Sequence, residues 1–164
     1  MVELRTERLL LRRARVEDLP AIHGMLSDPV ATRFWSTPPH TDIAQSEIWL
    51  RSMIDADPEE SDDFCVELAG RVIGKLGCWE LPEIGFLFAT SQWGKGYASE
   101  ALEAFLARRR SLGSPDPVTA DVDPRNSASL KLLERHGFVE TGRASRTWHV
   151  GGQWCDSVYL ELRL

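Results

Sequence analysis

The stretch Trp93-Gly94-Lys95-Gly96-Tyr97-Ala98-Ser99 decides how this chain is read. Just before it, Ile84–Phe88 is short and almost wholly apolar, the pattern of a strand covered on both faces. Just after it, Ala98, Ala101, Leu102, Phe105 and Leu106 fall at i, i+3, i+4, i+7 and i+8, the spacing of an amphipathic helix. A buried strand, a Gly-x-Gly turn and a helix N-terminus predict an anion site. The first helical amides have no intrahelical acceptor, and the helix dipole adds partial positive charge. Gly94 and Gly96 let the backbone curl and approach a phosphate with no Cβ in the way, and Lys95 adds charge from outside. The expected ligand is the diphosphate of a nucleotide-bearing cofactor. The competing reading is a tight turn whose glycines serve packing alone.

On the N-terminal side, Leu9-Leu10-Leu11 followed by Arg12-Arg13 predicts a strand with a charged end. Glu17 and Asp18 open a helix with Leu19, Ile22 and Leu26 inward; Pro20 is tolerated in its first turn, and Asp28-Pro29 stops it. Residues 32–40 form an aromatic loop, and Ile43, Leu50 and Ile54 mark a second helix. The acidic run Asp55–Asp63 is expected to be a solvated connection. Phe64–Leu68 and Val72–Trp79 flank the turn signal Ala69-Gly70-Arg71 and predict a hairpin.

On the C-terminal side, Gly113 and Pro115 end the central helix, Val118–Val122 is a further strand, and Asn126 caps a last helix bearing Leu130 and Leu133. Gly137 sits where a left-handed C-terminal cap belongs, with Phe138 folding back as its partner. Val139–Val150 and Trp154–Leu162 close the chain as two strands around Gly151-Gly152. The order is strand, two helices, three strands, helix, strand, helix, two strands. That is an α/β (α+β) arrangement, expected to form one domain over residues 1–164.

The length of 164 residues suits a single core, and 43% apolar with 27% charged residues is ordinary for a globular protein in water. No apolar run approaches the roughly 18–20 residues needed to span a bilayer, and Met1–Glu7 lacks the apolar core of a signal peptide. A cytoplasmic protein without a membrane partner is expected. Cys65, Cys78 and Cys155 are widely spaced and odd in number, and no C-x-x-C pair or Cys/His cluster suggests a metal. Buried thiols are the reading. A net charge of −6 argues against nucleic acid held through its phosphates. It suits a cationic substrate such as an amine only weakly, because bulk charge says little about one site.

The string from Gly94 to Ser99 nearly fits the dinucleotide fingerprint, with Ser99 at the third glycine. Position speaks against it: about 65 residues follow the turn, too few for the rest of a doubly wound sheet. A nucleoside triphosphate loop fits worse, because no Gly-Lys-Ser/Thr follows the required spacer. Phe88, followed five residues later by Trp93-Gly94-Lys95-Gly96-Tyr97-Ala98 and then Ser99-Glu100-Ala101, resembles the acetyl-CoA signature of the GNAT superfamily of N-acetyltransferases. The likeness is closer to the branch holding the ribosomal-protein alanine N-acetyltransferases. Thr6-Glu7-Arg8-Leu9-Leu10-Leu11-Arg12, Asp123-Pro124-Arg125-Asn126-Ser127-Ala128-Ser129, Glu134-Arg135-His136-Gly137-Phe138 and Gly152–Tyr159 resemble its segments in the same order. One departure stands out: the superfamily pattern has Gln or Arg where this chain has Trp93. Aromatic residues occur there in this branch, so the cofactor site is not read as lost.

The resemblance implies the GNAT acyl-CoA N-acyltransferase fold, a mixed, mostly antiparallel twisted sheet of about seven strands with about four helices. It implies that the amides of Gly94, Gly96 and Ala98, with Trp93, Lys95, Tyr97 and Ser99 as neighbours, hold the diphosphate of acetyl-CoA. Phe86, Leu87 and Phe88 would offer strand-like hydrogen bonds to the pantetheine arm, and an N–H of that strand would face the thioester oxygen as negative charge develops on it. Asn126 would pair with the pantetheine as well as cap its helix. Ser129 would help the CoA thiolate depart, and Glu83 would be the general base, with Glu80 a weaker candidate. A solvated helix serine and a strand-flanking surface carboxylate are the plain alternatives. Trp35, His40 and Trp148 are candidate acceptor contacts. The implied reaction is direct attack of a primary amine on the thioester, without metal or covalent nucleophile.

An α-amine, with a pKa of about 7.7–8, is roughly a tenth neutral at pH 7, whereas a lysine amine is neutral about once in 2,000. A protein N-terminus is therefore the favoured acceptor, with a polyamine, a drug amine or an amino acid as rivals. A non-catalytic acyl-CoA-binding module is the alternative from another class. Pairing of terminal strands would give a homodimer.

Overall fold

Side chains alternate along each strand, so a central strand feeds two opposite layers. The computed structural model describes residues 2–164; Met1, read above with the N-terminal stretch, lies outside them. The strands are β1 (Glu3–Arg5), β2 (Leu9–Arg12), β3 (Asp62–Leu68), β4 (Arg71–Glu80), β5 (Glu83–Phe88), β6 (Val118–Val122), β7 (Val139–Val150) and β8 (Gln153–Leu162). They form one sheet in the order β1-β2-β3-β4-β5-β6-β8-β7, antiparallel throughout except where β5 meets β6. Helices α1 (Leu19–Leu26) and α2 (Ile43–Ile54) pack on one face. Helices α3 (Tyr97–Ser111) and α4 (Ser127–Arg135) pack on the other. Among the described residues no helix is long and apolar enough to cross a membrane.

Neighbouring residues show the division. Phe64, Val66, Leu76, Ile84 and Phe88 pack with Leu102, Phe105 and Leu106 of α3 and Leu133 of α4. Cys65 and Leu87 join Ile22, Met25, Leu26, Leu50 and Met53 of α1 and α2 instead. Phe64 and Phe105 meet edge to face, 6.4 Å between centroids, a geometry worth about 0.5–1.5 kcal/mol beyond burial.

Local signals set the helix ends. Asp42 caps α2 by accepting from the Ala44 amide at 2.8 Å, and Asn126 caps α4 by accepting from the Ser129 amide at 3.2 Å. At the end of α4, Gly137 takes φ 92°. The Phe138 amide reaches the Leu133 carbonyl at 3.1 Å and the Gly137 amide reaches Glu134 at 3.0 Å, the paired closure expected from the sequence.

The expected mixed, mostly antiparallel sheet is present with one strand added, and one expectation is corrected. The sheet has eight strands, because Glu3–Arg5 adds a short edge strand paired to β2 through a turn at Thr6. The acidic run is not solvated to its end: Asp62 and Asp63 begin β3 and are buried. Asp62 accepts from Arg13 at 2.9 Å and from Arg108 at 3.1 Å, and Asp63 lies 2.9 Å from Lys75. Arg12 is likewise buried, holding Asp18 through two hydrogen bonds of 2.8 and 2.9 Å.

Opposite Asp63, Gly77 has φ 148°, and a Cβ there would strike the Asp62 carbonyl oxygen. Because backbone, not a flexible side chain, is in the way, Gly77→Ala is expected to lower Tm by several degrees, roughly 2–4 °C per kcal/mol lost. A thermal melt followed by circular dichroism checks this, and an unchanged Tm would contradict it.

Candidate active site

β5 and β6 share a single ladder pair, Glu83 with Thr119, supported by the Thr119 amide donating to the Pro82 carbonyl at 3.0 Å. Beyond that pair the two parallel strands part. The amide of Ala89 donates to the directly opposite Ile73 carbonyl at 2.9 Å, so Leu87 and Gly85, two and four residues back, also bond toward β4. The backbone groups of Phe86 and Phe88 therefore point away from β4, into the cleft between β5 and β6. The expectation for Phe86, Leu87 and Phe88 is divided by this alternation. Phe86 offers both backbone groups and Phe88 its amide, its carbonyl being taken by the Trp93 indole, while Leu87 is spent on the sheet and on the core below α1 and α2.

The glycine turn lies at the open end of the cleft. Gly94 has φ 71°, and Gly96, the N-cap of α3, has φ 81° and ψ 6°, in the left-handed region that side-chain-bearing residues avoid. No side chain caps α3, so the first-turn amides of Tyr97, Ala98 and Ser99 have no intrahelical partner. A Cβ on Gly94 would meet nothing within 4 Å, so the turn is open on that side. These features suit a diphosphate.

Arg8 clamps the turn from behind. Its guanidinium donates to the Lys95 carbonyl at 3.0 Å and to Glu100 at 2.7 Å, and it stacks 4.5 Å from the Tyr97 ring centre. Glu100 also accepts from the hydroxyl of Thr6, and these bonds hold its carboxyl below the usual range. Trp93 is half exposed and its indole donates to the Phe88 carbonyl at 2.9 Å, tying the turn to the free edge of β5. Lys95 lies outside, its amine 3.4 Å from Gln92. The Ser99 hydroxyl is engaged elsewhere. His136 Nδ1–H donates to the Leu132 carbonyl at 2.9 Å, which leaves Nε2 to accept from Ser99 at 3.2 Å. Ser99 thus offers its amide to the turn.

Across the cleft, β6 leads to the N-terminus of α4. Asn126 and Ser129 are half-buried there, and the Ser129 hydroxyl has no hydrogen-bond partner among the described residues. Two helix N-termini thus flank the C-terminal ends of two parting parallel strands, the usual position of a ligand in open sheets.

Glu83 stands where the strands part. It shares a face with Thr119 and Asp121, opposite the face covered by α3 and α4. Partial burial first, then the nearby charges of Asp121 and Glu80, raise its carboxyl above the ordinary glutamate value. Trp148 on β7 donates its indole N–H at 2.9 Å to Asp121, one of the two acids that raise Glu83. Trp35 packs on the core under α1 and α2, its ring 5.9 Å from the Lys75 amine and its buried indole nitrogen without a partner. His40 Nδ1 meets the Ser46 hydroxyl at 2.8 Å, which His23 shares at 2.7 Å, so the ring fastens loop 32–40 to α2 through one nitrogen. Cys65 and Cys78 are buried, and burial pushes the Cys78 thiol up to about 12, unsuited to nucleophilic work.

A profile of the acetyltransferase (GNAT) domain matches residues 8–139. The chain belongs to this family. It is 31% identical over 151 residues to the uncharacterized N-acetyltransferase p20 of Bacillus licheniformis, covering 87% of this chain and 85% of that one. It is 30% identical over 168 residues to the L-methionine sulfoximine/L-methionine sulfone acetyltransferase of Pseudomonas aeruginosa, covering 94% of each. Among solved structures, the ribosomal L7/L12 alpha-N-protein acetyltransferase RimL in complex with coenzyme A superposes with a TM-score of 0.87 at 18% identity, over 99% of this chain and 98% of that one. As a GNAT member the protein is an N-acetyltransferase.

Two residues beside the turn and the cleft carry no sequence signal of their own. Arg8 stands 87 residues from the carbonyl it grips, and no local pattern marks it. Asp121 reads as one more strand acid until β5 and β6 are set side by side.

Proposed function

We propose that the protein transfers acetyl from acetyl-CoA to a primary amine, with a protein N-terminal α-amine favoured, by direct attack on the thioester. The parting of β5 and β6 beside the glycine turn supports this most. An extended arm can lie along the free edge of β5 while its diphosphate rests on the amides of Gly94, Gly96 and Ala98. Acetyl-CoA supplies the activated acetyl group. Phe86 and Phe88 orient the arm through backbone groups, and Asn126 with the unengaged hydroxyl of Ser129 approaches it from the β6 side. Glu83 takes the proton that the amine sheds, and the charges of Asp121 and Glu80 nearby suit a cationic acceptor. Residues 1–164 act as one domain in this reading.

The α-amine is favoured because one raised carboxyl suffices for a group already about a tenth neutral at pH 7. The likeness to an alpha-N-protein acetyltransferase points the same way, and the sulfoximine/sulfone acetyltransferase keeps small acceptors within the reading. Thiol release from acetyl-CoA, followed with peptides bearing free N-termini, amino acids and polyamines in parallel, tests the proposal. Fastest release with peptides is the expected result; preference for another class would move the acceptor, and no release with any amine would overturn the proposal.

Because Glu83 must be ionised to accept a proton, kcat/KM is expected to fall as pH drops through a value above the ordinary glutamate pKa. Glu83→Gln removes that limb and lowers kcat by about 10²–10⁴-fold, leaving the limb set by the amine's own ionisation. A pH–rate profile with the limb intact in Glu83→Gln would assign the base elsewhere.

A further inference from the structure

Gly85, in the middle of β5, has no structural reason to be glycine. Its backbone lies outside the left-handed region, and no atom beyond its chain neighbours lies within 4 Å of where its Cβ would stand. The other glycines of this part of the sheet differ. A Cβ on Gly74 would fall 2.5 Å from the Phe88 ring, and one on Gly77 would strike the Asp62 backbone. A strand interior is weakened by glycine, so one there marks a bulge or the close approach of a ligand or another backbone. The bulge beside it lies on β4, between Gly77 and Glu80, and not on β5. Gly85 shares its face with Glu83 on one side and buried Leu87 on the other, and Leu87 pairs across to Lys75, above which Trp35 lies. The open space therefore sits on the side from which Glu83 works. It lies between Ile84 and Phe86, where β5 has just parted from β6.

We infer that Gly85 is a specificity-determining position, whose missing side chain admits the substituted carbon that bears the acceptor's amine. This rests on the proposed acetyl transfer to an amine. An α-amine of a peptide or amino acid carries a side chain and a carbonyl on that carbon; an unbranched alkylamine carries hydrogens. A methyl group at position 85 occupies the volume the branched carbon needs and leaves the backbone edge and the glycine turn untouched.

The test is Gly85→Ala, read by thermal melting, by titration with acetyl-CoA, and by kcat/KM for a peptide beginning with a branched residue against an unbranched alkylamine. The expected result is a Tm equal to or above that of the wild type and an unchanged Kd for acetyl-CoA. The kcat/KM for the branched acceptor should fall roughly 10–200-fold, the range of one ill-fitting methylene, with a smaller fall for the unbranched one. An unchanged ratio between the two acceptors overturns the inference. So does a lowered Tm or weakened acetyl-CoA binding, which would assign the glycine to packing or to the donor. A wild-type protein that releases no thiol with any amine defeats the acetyl-transfer reading itself, a distinguishable failure.

Discussion

Lys75→Met is expected to destabilise the fold by about 3–5 kcal/mol at neutral pH, the cost of stranding a buried charge. Lys75 and Asp63 lie 2.9 Å apart with side chains 3% and 2% exposed, so neither can turn to water. Asp63 Oδ2 has no well-directed hydrogen bond besides that ion contact. Burial is the larger influence on Asp63 and raises its carboxyl even with Lys75 opposing it. Without the amine the rise grows. A carboxyl whose pKa is raised on folding stabilises the fold below its unfolded value of about 3.9 and loses that contribution as pH climbs through the folded value. The deficit of Lys75→Met is therefore expected to be larger at pH 7 than at pH 5, and adding Asp63→Asn is expected to recover part of it. Denaturant unfolding at the two pH values measures both. A deficit below about 1 kcal/mol, or one indifferent to pH, would show that the pair contributes little.

The second large effect falls on donor binding. Gly96→Val is expected to weaken acetyl-CoA binding by at least about tenfold, the equivalent of 1.4 kcal/mol. At φ 81° an L residue costs roughly 1–2 kcal/mol, and a β-branched one is a genuine outlier. The new Cβ would only touch Nη2 of Arg8, at 3.4 Å, but the two added methyls extend toward the side chain whose Nη1 holds the Lys95 carbonyl. The turn relieves this by moving, and the amides of Tyr97, Ala98 and Ser99 lose their common aim. Isothermal titration reads the change in Kd. Gly94→Ala, with open space around it, is the milder companion, strained at φ 71° but without a clash. Wild-type affinity in Gly96→Val would remove the diphosphate from this turn.

The elements nearest the site were legible because their signals are local. The helical spacing from Ala98 to Leu106 corresponds to α3, and Asn126 and Gly137 bound α4. Ile84–Phe88 is a strand as expected, but it is covered on both faces only at its end, by Leu87 on one side and Phe88 on the other, and lies open at Gly85. Asp62 and Asp63 misled for the same reason. Within their own neighbourhood they end an acidic run, and the groups that allow their burial come from other elements. Arg13 lies 49 residues away from Asp62 and Arg108 lies 46 away.

By itself the sequence determined the glycine turn, the strand and helix that frame it, and the resemblance to the GNAT family, because backbone conformation and side-chain periodicity are short-range demands written residue by residue. Only the tertiary structure decided which backbone groups of Phe86, Leu87 and Phe88 face the cleft, since that depends on the register of β5 against β4. It also decided that the Ser99 hydroxyl goes to His136, that His40 fastens a loop, and that Arg8 clamps the turn. Each is a pairing across dozens of residues, made by the way the sheet brings distant strands together and carried by no pattern within any one of them.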